Sequence, residues 1–543
     1  MNKKKIIISS LLFIAATDSF AQQKVAVNDT TIKATTIEIT QIYQPQIKQA
    51  VKETYAPTLP PAENKKPSFE YNVPAQTQNY SYKPLPLQPL AFGADTTTQG
   101  YKNYVKAGVG NLHTLFLDAG IGGIQTHRFN SNLHLGLLSQ KGEHTYQKQT
   151  AAVLDGIGTY SLNKVKAEFA LSATHHNFFQ YGYDEIIQPN KIASRQTLSG
   201  GKFSARLSDN TFDKNGLKKS VLAGLSFYSG SYINNEGSFL ASAGAEKFID
   251  SNLTGYIGIE AVATQLSSSV YNVSNGFASL RLGGSYDKKN VLFKAYLMPT
   301  IGQNQNSFLL NDIEFRYRIP KAQASIGAGL KGSLTQNTYQ QLFLTNPFIS
   351  QFSSIQTHSN ELFGFVEKAI GYHFTFNGKL SWWQYENLAT FLNSPIAAEK
   401  MMVYYIPKLN AISAQIGLRY QIGNSISVGS QLLLFNYSNI SFNKRAWHLP
   451  TTRINGDFLW QPIPELSLTA YTSYVGGNYA LDTSLKEIKI KSYVDMGFGG
   501  EYMAMKKLSL YLNVNNLLNN KYQRWLGYQA FGINIYGGVR LKF

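Results

Sequence analysis

Residues 531–543 read Phe-Gly-Ile-Asn-Ile-Tyr-Gly-Gly-Val-Arg-Leu-Lys-Phe and end the chain. Successive side chains of an extended strand point to opposite faces. Phe531, Ile533, Ile535, Gly537, Val539, Leu541 and Phe543 therefore share one side, and Asn534, Tyr536, Gly538, Arg540 and Lys542 the other. One side is apolar, and the other is polar and charged. A soluble sandwich can use such a strand, but a terminal aromatic on the apolar side is how a membrane β-barrel closes its last strand. The preceding segment repeats the pattern: Leu508, Leu510, Leu512 and Val514 alternate with Ser509, Tyr511 and Asn513.

The start of the chain agrees with export. Lys3, Lys4 and Lys5 precede an apolar run from Ile6 to Ala16, and Ser19-Phe20-Ala21 offers the small residues of a cleavage site, so residues 1–21 read as a signal peptide. The run is shorter than the ~18 apolar residues of a spanning helix, and no later segment is longer. An exported chain with pervasive alternation and no spanning helix reads as an outer-membrane barrel.

Composition narrows the partners. The formal charge is +18, and loss of three lysines and Asp18 with the leader leaves it clearly basic. Lys and Arg are scattered along strands and turns rather than gathered in a patch, which argues against nucleic acid. Charge facing a lumen, or facing phosphorylated head groups such as those of lipopolysaccharide, accounts for it. The absence of cysteine excludes disulfides and thiolate metal sites. An aromatic content of 13% suits the girdles at the two membrane interfaces.

Three segments follow. After the leader, residues 22–98 hold nine of the 18 prolines, from Pro45 to Pro89, and read as an extended periplasmic or lumenal segment without a core of its own. Residues 99–543 read as one all-β antiparallel barrel of about 22 strands. Val165, Ala167, Phe169, Leu171 and Ala173 are expected to face lipid, with Lys166, Glu168 and Ser172 inward. Residues 177–194, 334–356, 387–400 and 441–449 are expected as surface loops. Asn163-Lys164, Asp287 to Asn290, Gly423-Asn424, Pro464-Glu465 and Lys506-Lys507 are expected as periplasmic turns. The connection 209–219 is long for a periplasmic turn and could hide a strand.

Asn516-Leu517-Leu518-Asn519, followed by Tyr522, leaves the penultimate strand and leads to the closing strand carrying Ile533, Ile535, Val539, Leu541 and Phe543. This arrangement resembles the C-terminal signature of TonB-dependent receptors. The resemblance implies a 22-stranded outer-membrane barrel that binds a scarce nutrient at the surface, and a plug domain on which an inner-membrane energiser pulls. The assembly machinery of outer membranes is expected to engage this last strand by edge pairing while reading its alternating side chains. The chain departs from that family in one respect: residues 22–98 are too few and too rich in proline for a globular plug. Thr36-Ile37-Glu38-Ile39-Thr40 resembles the short segment with which the energiser pairs by strand addition.

No catalytic, cofactor or metal site stands out. His175 and His176 with Asp184 and Glu185 are the nearest to a ligand set, but neighbouring residues on a strand point apart. No Ser/His spacing singles out a hydrolase, and the chain is not expected to be an enzyme. Trp382-Trp383, Tyr385, Trp525 and Tyr528 read as an interfacial belt, with a ligand platform as the alternative. The function implied is solute uptake across the outer membrane, the lumen being occluded by residues 22–98, by loops and by inward side chains such as Lys166, Glu168 and Arg281. The alternative is a non-transporting scaffold or accessory subunit of an export or assembly complex, docking a periplasmic partner through residues 22–98.

Overall fold

In a computed structural model, the structure describes residues 103–122, 126, 128–183, 192–442 and 445–543. The expected leader (1–21), the Pro-rich segment (22–98) and Thr36–Thr40 lie outside the described residues, as do Asp184 and Glu185.

Among the described residues, 22 antiparallel strands pair in sequence order into a closed barrel. Closure joins the first strand, Asn103–Gly110, to the last, Asn534–Lys542, with Tyr104 opposite Lys542 and Gly110 opposite Tyr536. Beyond the last pair, Asn103 N–H donates to the Phe543 carbonyl at 3.2 Å and Phe543 N–H to the Asn103 carbonyl at 3.0 Å. Glycine is required at this seam by close approach, because a Cβ on Gly538 would collide with the Ala107 carbonyl oxygen. The closing strand is shorter than its alternation suggested, since Phe531 to Ile533 precede it. It begins where the Asn534 amide donates to Thr114 Oγ1 at 2.7 Å and the Asn111 side chain accepts from Ile535 N–H at 2.7 Å.

The faces follow the sequence pattern. Val539 and Leu541 are 46% and 47% exposed on the outside, whereas Tyr536 and Arg540 on the inside are 1% and 6% exposed. The same outward face carries Leu133, Leu135, Phe169, Leu171, Phe203 and Leu225, all exposed. Each such side chain would gain about 1.5–3 kcal/mol from leaving water, so a belt of them around a closed barrel is stable only against lipid. The inner wall is lined by ion pairs: Lys106 and Arg540 reach Glu501 at 3.2 and 3.1 Å, Arg281 reaches Asp312 at 2.8 Å, and Lys166 reaches Glu168 at 2.6 Å.

The connections longer than seven residues all fall at one end of the barrel. Leu162 to Lys164, residues 289–290, 423–425, 464–465 and 506–507 are tight turns at the other end, which makes that end periplasmic. The connection after Asp209 is a single turn to Leu217 and hides no strand. Asp213 Oδ1 caps it by accepting from Asn215 and Leu217 N–H at 2.8 and 2.9 Å, and Gly216 takes φ 68°. At the surface end, half of the expected loop 387–400 is strand: Phe374–Asn393 continues past a left-handed Asn387 (φ 54°) and leaves 394–400 as the loop. Paired residues from Leu388 to Asn393 keep their partners in Met401–Ile422, so the ladder extends beyond the apolar belt.

Candidate functional site: the capped surface mouth

The connection 337–355 has a folded interior that contains a helix. Thr338 caps a helix, Tyr339–Thr345, by accepting from Gln341 N–H at 3.2 Å, and the Glu236 carboxylate accepts from Gln340 N–H at 3.1 Å. Tyr339, Leu342 and Phe343 fall on one face of that helix at positions i, i+3 and i+4 and are all buried. Phe343, fully buried, lies 6.0 Å from the Phe178 ring and 6.4 Å from His176. Beyond the helix, Phe348 stacks on Tyr528 of the last hairpin at 3.5 Å and 12°. A short strand, Ile349–Gln351, then pairs parallel with Met401 and Met402.

Side-chain amides tie down the loop's own carbonyls. Gln180 donates to Phe348 O at 3.1 Å, Gln196 to Ile349 O at 2.7 Å, and Tyr271 Oη to Phe352 O at 2.5 Å. These anchors stand on the side of the barrel built by residues 165–288, while Met401 and Tyr528 stand on another. The loop therefore crosses the surface mouth. One apolar cluster joins it to both sides, with Leu198, Tyr228 and Leu266 from the first wall and Phe391, Met401 and Trp525 from the other.

A second loop, 439–451, packs Ala446 and Leu449 against Leu388, Ile406 and Leu409. The ring of His448 of this loop lies 5.1 Å from the Trp525 ring, and its backbone N–H donates to Tyr479 O at 2.7 Å. Burial drives its imidazole down to about 3 from the usual 6.5, the Arg524 backbone opposing only in part. The imidazole is neutral in the closed cap and takes a proton near pH 6.5 once exposed, so closure is complete above about 6.5 and weakens as pH falls toward 3. At pH 5 the expected loss is roughly 2 kcal/mol, about thirtyfold in opening. Hydrogen exchange of residues 439–451 at pH 7 and pH 5 measures it, with His448→Leu expected to abolish the difference. Equal protection at both pH values would count against it.

The sequence-selected residues separate. His175 and His176 do point apart: His175 Nδ1 meets Ser199 Oγ at 2.8 Å on the outside, and His176 is buried under the cap. Among the described residues nothing orients the second nitrogen of His175, so the pair lacks the third member of a triad. No group of three potential metal ligands forms among them. Trp382 faces outward, but Trp383 turns inward and donates to Ser413 Oγ at 2.9 Å. Trp525 and Tyr528 do not join an interfacial belt; both are buried in the cap. The signal that could have placed them is their position in a connection of 18 residues between Asn515 and Asn534, long enough to fold inward.

The Asn516 to Tyr522 element is a turn stitched by its own side chains. Asn516 and Asn519 adopt φ 46° and 49°, and the Asn516 amide donates to Asn520 O and Phe531 O at 2.9 and 2.8 Å. Leu517 N–H donates to Met496 O at 2.8 Å, and the Asn519 side chain accepts from Ile533 N–H at 2.9 Å. Tyr522 Oη donates to Asp495 Oδ2 at 3.0 Å while its ring stacks on Tyr493 at 3.8 Å. Leu517 and Leu518 remain half exposed. The element thus holds together the two ends of the last hairpin, which carries Trp525 and Tyr528 into the cap.

The wall beneath the cap carries a polar row: Ser172, Lys202, Ser226, Ser238, Thr264 and Asn275 are successive partners across six strands.

No protein-family model matches the chain. No curated protein matches it either. Solved structures do. The chain is similar to a variant of the ferric enterobactin receptor PfeA from Pseudomonas aeruginosa, at 13% identity and a TM-score of 0.59, over 81% of this chain and 80% of that one. It is similar to the FrpB iron transporter from Neisseria meningitidis, at 11% identity and a TM-score of 0.63, over 82% of each chain. The siderophore receptor PirA from Acinetobacter baumannii matches at 10% identity and a TM-score of 0.63, over 82% of this chain and 81% of that one. The belt, the closure and these likenesses agree on the fold: the described residues form a closed 22-stranded antiparallel β-barrel like the barrels of these receptors.

Proposed function

We propose that the chain takes up a solute across the outer membrane, with its lumen closed at the surface by the 337–355 cap and from within by residues 22–98. The observation that carries the reading is the cap itself: a loop with its own apolar core, held by side-chain amides on one side of a wide barrel and by strand pairing and aromatic stacking on the other. An open barrel of this size would breach the cell's barrier, so a folded closure over a polar, ion-paired wall fits gated passage better than a permanent pore. The proline-rich segment suits the role of a lumenal strap, since proline lowers the entropy lost on lying along a wall. Thr36 to Thr40 then offers the edge to which an energiser adds a strand. The similar barrels named as iron and siderophore receptors make an iron chelate the first solute to test.

Planar-bilayer conductance of the full chain tests closure. The intact protein is expected to conduct weakly, with large pores only after deletion of residues 22–98, of 337–355, or of both. A large stable pore in the intact protein, unchanged by the first deletion, would refute occlusion by the segment and point to a simple porin. Growth of a deletion strain on limiting iron chelate tests uptake. Normal growth, with stoichiometric partners co-purifying, would favour the scaffold instead.

A further inference from the structure

A small pocket opens on the outside of the barrel at its surface end, where the strands Phe129–Lys141, Lys148–Ser161, Val165–Phe179 and Arg195–Asp209 lie side by side. It has a volume of about 350 Å³ and is lined by Lys141, Lys148, Arg195, His113, Ser139 and Thr150, among others. Register places its cations on the lipid side. Lys141 and Ser139 share the face of the exposed Leu133 and Leu135; Lys148 is directly opposite Lys141, and Thr150 opposite Ser139. Asn177 pairs with Thr150 in the next strand, and Arg195 with Phe179 in the one after.

Three features single this pocket out. Two lysines stand directly opposite each other across a strand pair, an arrangement that costs stability unless an anion lies between them. Elsewhere on the barrel wall, Arg281, Arg316, Arg419, Lys379 and Lys106 each hold a carboxylate, but Lys141, Lys148 and Arg195 pair with none among the described residues. The carboxylate of the adjoining hairpin, Glu143, is held by Lys521 at 2.5 Å. Finally, the pocket sits at the boundary of the lipid belt. Below it run Leu135, Leu133 and the stacked Phe169 and Phe203, and beside it Tyr146 and Phe179 approach to 5.9 Å, as aromatics do at an interface.

We propose that this pocket binds a phosphate group on the head of an outer-leaflet glycolipid, whose acyl chains lie on the apolar face beneath. Two ammonium groups and a guanidinium supply charge-assisted donors to phosphate oxygens, and the Ser139 and Thr150 hydroxyls, which bond each other at 3.3 Å, leave one proton for a neutral one. The Arg195 side chain is already aimed, its Nε donating to Asn177 Oδ1 at 3.0 Å, which leaves the terminal nitrogens for the ligand. This site is independent of the uptake reading, because it lies on the other side of the wall from the lumen.

The test uses the full chain purified in mild detergent and titrated with three probes: bis-phosphorylated lipid A, the same lipid stripped of phosphate, and inorganic phosphate. Lipid carried through purification is scored by native mass spectrometry. A triple variant, Lys141→Gln, Lys148→Gln and Arg195→Gln, is compared with a charge-matched control, Lys486→Gln, Lys489→Gln and Lys491→Gln. Heat-modifiable gel migration verifies that both remain closed barrels. The triple variant should bind lipid A at least tenfold more weakly and lose the co-purified lipid, the control should bind normally, and stripped lipid should bind the parent no better than lipid A binds the triple variant. Equal loss in the control would reduce the effect to net charge and overturn the site. Unchanged binding by the triple variant, or full-strength binding of the stripped lipid, would overturn it as well. Inorganic phosphate matching lipid A in affinity would overturn the lipid as the source of the phosphate.

Discussion

Deletion of residues 533–543 is expected to abolish the barrel, with outer-membrane protein falling more than tenfold and the remainder degraded in the periplasm. The last strand pairs on both sides, with Tyr104 to Gly110 and with Leu508 to Asn515, so its loss strands two ladders of backbone donors and acceptors in lipid. Each unsatisfied group there costs several kcal/mol, and over two edges the sum far exceeds the stability of any folded domain. Phe543→Asp should give a milder defect. It keeps the backbone bonds to Asn103 but sets a charge at the membrane rim, where the Phe543 side chain is half exposed on the lipid face. It also spoils the terminal aromatic that the assembly machinery is expected to read. Lys542→Gln changes an inward residue and should assemble nearly normally. Immunoblots of outer-membrane fractions, boiled and unboiled, measure all three, and normal levels of the truncated protein would mean that this strand does not close the barrel.

Phe343→Ala should open the cap while sparing the barrel. Phe343 is fully buried between Phe178, His176 and Tyr339, and removing its ring leaves a cavity that the anchored loop cannot collapse into. The expected cost is about 3–5 kcal/mol, more than a hundredfold in local opening. Hydrogen exchange of residues 337–355 should rise accordingly, and bilayer conductance should rise with it if the cap gates the pore. Heat-modifiable migration should not change, because Phe343 lies on the loop helix and its loss leaves the backbone pairing of the wall strands intact. Ile396→Ser, at a loop tip that is 93% exposed, is the matched control and should leave exchange unaltered. Unchanged exchange in Phe343→Ala would show that the amide anchors alone hold the loop.

The architecture was legible in the chain because lipid-facing and lumen-facing residues alternate with period two, and nothing but strand order is needed to close a barrel. Val539 and Leu541 outside, Tyr536 and Arg540 inside, the turns at 163–164, 423–424 and 506–507, and the count of strands all follow from that alternation. The Asn516 to Tyr522 element was visible as a pattern, but its work was not, since its bonds run to Met496, Asp495 and Phe531. That surface loops help close the mouth was an expectation of the sequence, but which residues build the cap could not be read. Phe178, Phe343, Met401 and Tyr528 are scattered over most of the barrel sequence, and each looks like one more belt aromatic or apolar strand residue until closure brings them to one mouth. The same holds for Lys141, Lys148 and Arg195, ordinary strand-end cations whose meeting depends on the register of four strands. Alternation assigns a residue to a face; only the closed tertiary structure decides how high on that face it stands and what stands across from it, because both depend on register and on loops that no local pattern encodes.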